Sequence, residues 1–166
     1  MIQEKIQKTC SVAFTGHRFI PHDKRKQLTV ALKTAILEQY RKGNKNFING
    51  GAVGFDMLAA EMVLSLQEQY KDITLTIVVP FREQPAKFLN TDKIRYQHII
   101  SKADKIVVLS ERYYDGCFLR RNDYMLRYSV EVISYYDGKS KGGTYYTHQK
   151  AAQAGLPITN LYPNNN

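Results

Sequence analysis

Short apolar runs closed by glycine or proline alternate with longer amphipathic stretches along this chain, and that alternation constrains the fold more than any other feature. Ser11–Phe14 (SVAF), closed by Thr15-Gly16, reads as a first strand. Asp23 is placed to cap a helix over about Lys24–Arg41, with Leu28, Ala31, Leu32, Ala35 and Ile36 on one face and Gly43 at its end. Phe47-Ile48 form a short second strand, followed at once by Asn49-Gly50-Gly51. A second helix is expected over about Gly54–Tyr70, with Leu58, Met62 and Leu66 at helical spacing. Ile73–Val79 (ITLTIVV) is β-branched and apolar, and Pro80 stops it as a third strand.

The pattern continues past Pro85. A helix over about Thr91–Lys102 precedes a fourth strand, Lys105–Ser110 (KIVVLS). The basic, tyrosine-rich stretch Phe118–Tyr128 reads as a helix, and Val130–Tyr136 as a fifth strand. A polar loop, Asp137–Gly143, leads to a helix over Thr144–Ala154 and a last, edge-type strand, Ile158–Tyr162, before a frayed Pro-Asn-Asn-Asn tail. Strand and helix in alternation imply βαβ units. The expected class is a Rossmann-like three-layer α/β domain with a mainly parallel central sheet and helices on both faces. A chain of 166 residues with no internal repeat or long linker suits one domain over residues 1–166.

Charge narrows the partners. Lysine and arginine number 24 against 15 acids, a formal charge of +9. That balance favours anionic partners such as nucleotides, nucleic acid or acidic surfaces, without choosing among them. Cys10 and Cys117 stand far apart with no CxxC pair, which argues against a disulfide framework and a zinc site and fits a reducing cytoplasm. The charged segment Met1–Thr9 has no apolar signal-peptide core, and no apolar run approaches the roughly 20 residues that span a bilayer. No membrane partner is expected. The histidines His22, His98 and His148 show no metal-ligand spacing, so no metal and no required cofactor are expected.

In folds of this class, ligands bind beyond the carboxyl ends of the strands, near the point where strand order reverses. Three turns follow strands in this way. Thr15-Gly16-His17-Arg18 combines a glycine that permits close approach with a permanent planar charge suited to phosphate. His17 is read as a hydrogen-bonding turn residue before an acid–base group. Gly50-Gly51-Ala52-Val53-Gly54-Phe55-Asp56 leads into the second helix, whose N-terminus is suited to an anion. Asp56 either accepts a ribose hydroxyl or stabilises the helix dipole. Gly142-Gly143-Thr144 opens the last helix, where Thr144 can cap the helix or bond a phosphate oxygen. Arg82 is a further ligand candidate, with Arg112, Arg120, Arg121, Lys139 and Lys141 nearby in the sequence pattern. Tyr145 and Tyr146 either stack a base or pack.

Together, "FTGHR" at Phe14–Arg18, "NGGAVGFDMLAAE" at Asn49–Glu61, "VVPF" at Val78–Phe81, "KIVVLS", "RRNDYML" at Arg120–Leu126 and "YYDGKSKGGT" at Tyr135–Thr144 resemble the SLOG superfamily, named for Smf/DprA and Lonely Guy proteins, and its YpsA-like branch. The resemblance implies a pocket for nucleotides or their derivatives, including NAD-derived molecules such as ADP-ribose and its cyclic forms. It falls on Gly16, Arg18, Gly50, Gly51, Gly54, Asp56, Gly143 and Thr144. Lonely Guy enzymes carry a PGGxGTxxE pattern. Here Lys141-Gly142-Gly143-Thr144-Tyr145-Tyr146-Thr147-His148 lacks the proline and the glutamate, so no obvious carboxylate stabilises an oxocarbenium-like centre.

The reading therefore leans away from an enzyme. It favours a module that senses or sequesters a nucleotide-type ligand. The alternatives are a nucleotide hydrolase using Asp56, Glu83, Asp123 or His17, and a single-stranded nucleic-acid binder. A homo-oligomer is left open.

Overall fold

The computed structural model describes residues 11–164. The expectations for Met1–Thr9, Cys10 and the last two asparagines lie outside the described residues. Six strands, β1 (Ser11–Gly16), β2 (Asn46–Asn49), β3 (Thr74–Val79), β4 (Lys105–Val108), β5 (Glu131–Tyr135) and β6 (Ile158–Asn160), form one sheet in the order β4-β3-β2-β1-β5-β6. Every neighbouring pair is parallel. Among the described residues, the helices joining them are α1 (Arg25–Arg41), α2 (Phe55–Gln67), α3 (Asn90–Lys102), α4 (Cys117–Arg127) and α5 (Gly142–Gln153).

Period-two side-chain alternation divides the strand residues between two cores. Val12, Phe14, Phe47, Leu75, Ile77 and Ile133 face the layer of α1, α2 and α3, packing against Leu32, Val63 and Ile99. Ala13, Ile48, Val78 and Val132 face α4 and α5, packing against Met125, Leu126 and Ala151. β4 and β6 are the two edges of the sheet, and Ile106 on β4 is partly exposed.

Local details differ from the sequence reading. Asp23 does not cap α1. It lies in a 3-10 turn, His22–Lys24, and Lys24 occupies the cap position without a side-chain bond. On α2, the buried face is Phe55, Met57, Ala59, Ala60, Val63 and Leu66, while Leu58 and Met62 are only half-buried. Ala59 and Ala60, both fully buried, take the core-facing positions of α2. α5 begins at Gly142, so Thr144 lies inside the first turn and makes no capping bond.

The chain steps outward from β1 to β4 and then crosses back to lay β5 on the other side of β1. The strand order thus reverses between β1 and β5. Connections leaving these two strands diverge to opposite faces and open a crevice at their carboxyl ends.

Candidate functional site

A cavity of about 460 Å³ opens at this reversal. Its walls include Phe14–Arg18 from the end of β1, Ala52 and Asp56 from the β2–α2 turn, Gly143 and Thr144 from α5, and Gly116, Phe118, Leu119, Arg121, Asn122 and Met125 from α4 and its start. The sequence-predicted residues Thr15, Gly16, His17, Arg18, Asp56, Gly143 and Thr144 therefore share one cavity. Gly50, Gly51, Gly54, Gly142 and Arg82 are not on its wall.

The β2–α2 turn is held by its own polar groups. The Gly51 N–H donates to Asn49 Oδ1 (3.0 Å), and the Ala52 N–H donates to Asp56 Oδ2 (3.3 Å). The Phe55 N–H donates to the His17 carbonyl (3.1 Å). Asn49 Nδ2 donates to the Asp56 carbonyl (2.9 Å). Three amides that the sequence offered to a phosphate are thus engaged by the protein. The glycines serve close packing. A Cβ on Gly16 would fall 2.5 Å from the Phe55 ring, and one on Gly50 or Gly54 would overlap Arg121 or the Arg18 backbone.

Asp56 is 6% exposed. Burial pushes its carboxyl above the ordinary range, while Arg121, the Ala52 and Gly50 amides and Arg18 pull it back. Its carboxylate faces inward to its own loop, so the dipole-side structural role describes the geometry better than an open ribose acceptor. His17 Nε2 accepts the Asp137 N–H (2.9 Å), which places the lone pair there and the proton of a neutral ring on Nδ1. Asp137 Oδ1 also lies 3.2 Å from Nε2, a contact that becomes an ion pair only on protonation. His17 thus ties the β1 turn to the β5–α5 loop.

Arginine dominates the cavity's charge. Arg121 is 5% exposed and donates from Nη1 to the Gly50 carbonyl (2.9 Å) and Gln84 Oε1 (3.2 Å), and from Nε to Asn122 Oδ1 (2.9 Å). All three acceptors are neutral. Burial depresses its pKa, and the Asp56 charge opposes that effect. Arg18, following β1, lines the same cavity and is exposed. Both guanidinium groups lie over the Phe118 ring, at 5.1 Å for Arg18 and 5.6 Å for Arg121. Among the described residues, neither has a carboxylate within ion-pair distance. Arg82, by contrast, is clamped to Glu111 by two bonds of 2.7 and 2.8 Å. The first turn of α5 adds amide donors that have no intrahelical acceptor.

Sequence reasoning named Arg121 only within a group of basic residues and missed Phe118, Asn122 and Met125. A usable signal was present. Arg121 and Asn122 stand one turn before Met125 and Leu126, on the buried stripe of α4. A charged residue on a core-facing stripe needs a compensating partner or a ligand. Tyr146 bonds Asp123 (3.1 Å) away from the cavity, and Tyr145 packs toward Tyr136, so both tyrosines pack. Among the described residues, no cluster of three or more His, Cys, Asp or Glu side chains is placed to hold a metal ion.

A fully parallel, doubly wound sheet with its cavity at the strand-order reversal defines a Rossmann-like three-layer α/β protein. The YspA SLOG family model matches residues 15–161, and the chain belongs to that family. The UPF0398 protein YpsA of Bacillus subtilis is 26% identical over 134 residues, covering 77% of this chain and 74% of the relative. The uncharacterized SPbeta prophage-derived protein YoqJ of the same organism is 30% identical over 150 residues, covering 81% of this chain and 87% of its own. In fold, the chain is similar to DNA processing protein A of Helicobacter pylori, described for its single-stranded DNA binding mode (TM-score 0.62, 20% identity), and to that of Streptococcus pneumoniae (TM-score 0.64, 19% identity). These likenesses cover 92% and 93% of this chain but only 66% and 50% of the larger proteins. Among the described residues, no helix is long and apolar enough to cross a membrane.

Proposed function

We propose that the domain is a binding module for a nucleotide-type ligand, possessing a phosphate site between Arg18, Arg121 and the first turn of α5. The observation that carries this reading is the pair of guanidinium groups over Phe118, neither matched by a carboxylate at ion-pair distance among the described residues. Guanidinium forks suit phosphate, and a phosphate oxygen supplies the strong acceptor these groups lack. The apolar wall of Phe14, Leu119 and Met125 suits the rest of such a ligand.

Binding is favoured over turnover by the state of the titratable groups. Asp56 is turned into its own loop, and His17 Nε2 is engaged by a backbone amide. Asp123 is bonded to Tyr146, and neither it nor Glu83 is on the cavity wall. The NAD-derived class, ADP-ribose included, is the finer form of the proposal.

A thermal-shift series with AMP, ADP, NAD, ADP-ribose, cyclic ADP-ribose and a short oligodeoxynucleotide tests it. A nucleotide at about 100 times its Kd adds roughly 2.7 kcal/mol of stability. The expected result is one nucleotide that stabilises the protein, is recovered intact by chromatography, and loses about tenfold or more in affinity with Arg18→Ala. Recovery of a cleaved product makes the protein an enzyme. Stabilisation by the oligonucleotide alone, steeply weakened by salt, assigns it instead to single-stranded DNA, the reading favoured by the likeness to DNA processing protein A.

A further inference from the structure

The cavity has an aromatic annex outside the three glycine-containing turns that line it. Phe118, on the cavity wall, is the inner member of a cluster with Phe81 and Tyr113. Ring centroids lie 5.5 Å apart for Phe81 and Tyr113, 5.9 Å for Phe81 and Phe118, and 6.3 Å for Tyr113 and Phe118. Phe81 follows β3 and Tyr113 follows β4, so both stand at the carboxyl edge of the sheet beside the cavity. Tyr113 is 56% exposed, and its ring contacts are edge-on or tilted, so no described ring is stacked parallel on it.

A single exposed aromatic side chain is unremarkable, but three contiguous rings continuous with a cavity wall form a patch. The loop that carries Tyr113 is also fixed. Arg82 clasps Glu111, the Arg82 N–H donates to the Ser110 carbonyl, and Arg120 Nη1 donates to the Leu109 carbonyl and the Tyr114 hydroxyl. The ring is therefore held out toward solvent by a built loop. The Arg18 guanidinium lies 5.1 Å from the Phe118 ring, whose centroid is 6.3 Å from that of Tyr113, so Phe118 links the arginine pair to the exposed ring.

We propose, resting on the reading above, that Tyr113, backed by Phe81 and Phe118, is a base-stacking shelf: a ligand with its phosphate at Arg18 and Arg121 lays its heterocyclic base against Tyr113. The ligand class narrows accordingly to nucleotides, with sugar phosphates bound weakly. Because every base has a π-face, the shelf rewards the presence of a base and discriminates little among bases.

Calorimetric titration of the full chain with AMP and with ribose 5-phosphate tests the shelf. The expected outcome is AMP binding about tenfold or more tighter than ribose 5-phosphate. Tyr113→Ala should remove that advantage and leave ribose 5-phosphate affinity unchanged, while Tyr113→Phe retains it. Tyr146→Ala, which removes a tyrosine away from the cavity, should leave both affinities unchanged. The shelf is overturned if Tyr113→Ala leaves AMP affinity intact, or if it weakens both ligands equally. Loss of the Tyr113→Phe variant's advantage would likewise exclude stacking. Binding of neither ligand overturns the phosphate site itself and the shelf with it, whereas equal binding of both by the wild type overturns only the shelf.

Discussion

At the scale of single residues, the turns beside the cavity leave no room for a side chain at Gly16, Gly50 or Gly54. Gly54 has φ +84°, and a Cβ there would overlap the Arg18 backbone. Gly54→Ala combines a left-handed conformation with overpacking and is expected to lower stability by about 2 kcal/mol or more, read from urea unfolding. Asp56 gives a pH signature. Its native carboxyl holds the proton more tightly than the unfolded chain does, because burial raises its pKa. As pH rises through and above the ordinary aspartate range, the unfolded chain releases its proton first. The Asp56 contribution to stability therefore falls over that window and stays low once the native carboxyl has ionised. The stability difference between wild type and Asp56→Asn should decline from acid to neutral pH; a difference independent of pH contradicts the raised pKa.

At the scale of elements, the β2–α2 connection is a rigid joint. Asn49 is fully buried, accepting from Gly51 and donating to the Asp56 carbonyl. Asn49→Ala leaves the buried Gly51 N–H without its acceptor and removes a second bond from the Asp56 carbonyl, with an expected loss of about 1–3 kcal/mol in denaturant unfolding. A loss within error would show that water replaces the side chain. The sequence placed a glycine turn before α2 correctly, but it could not show that the turn's amides are already engaged. Asn49 and Asp56 are seven positions apart, and only the folded turn brings them onto adjacent amides, those of Gly51 and Ala52. α4 teaches the complementary lesson. Its helix was legible in the sequence, yet Arg121 acquires its role by reaching Gly50 and Gln84, 71 and 37 positions away.

At the scale of the whole molecule, one sheet separates two cores. Ile36 is fully buried in the α1–α3 layer, and Met125 is 2% exposed in the α4–α5 layer. Ile36→Ala and Met125→Ala should each cost about 2–5 kcal/mol. With the sheet between them and no shared partner, their effects are expected to add within about 0.5 kcal/mol in a double-mutant cycle. A larger coupling would mean that the sheet transmits strain between its faces.

The sequence by itself determined the order of strands and helices, the parallel sheet and the strand-to-helix turns, because period, capping residues and breakers act within a few positions of one another. It also carried the family motifs and the convergence of Gly16, Arg18, Asp56, Gly143 and Thr144 on one end of the sheet. The tertiary structure alone decided that β5 returns beside β1, that Arg121 joins Arg18 over Phe118, and that Arg82 is drawn off to Glu111. Those outcomes depend on which surfaces meet after long crossovers. Burial and charge pairing are fixed there by packing between distant segments, a quantity that local sequence does not encode.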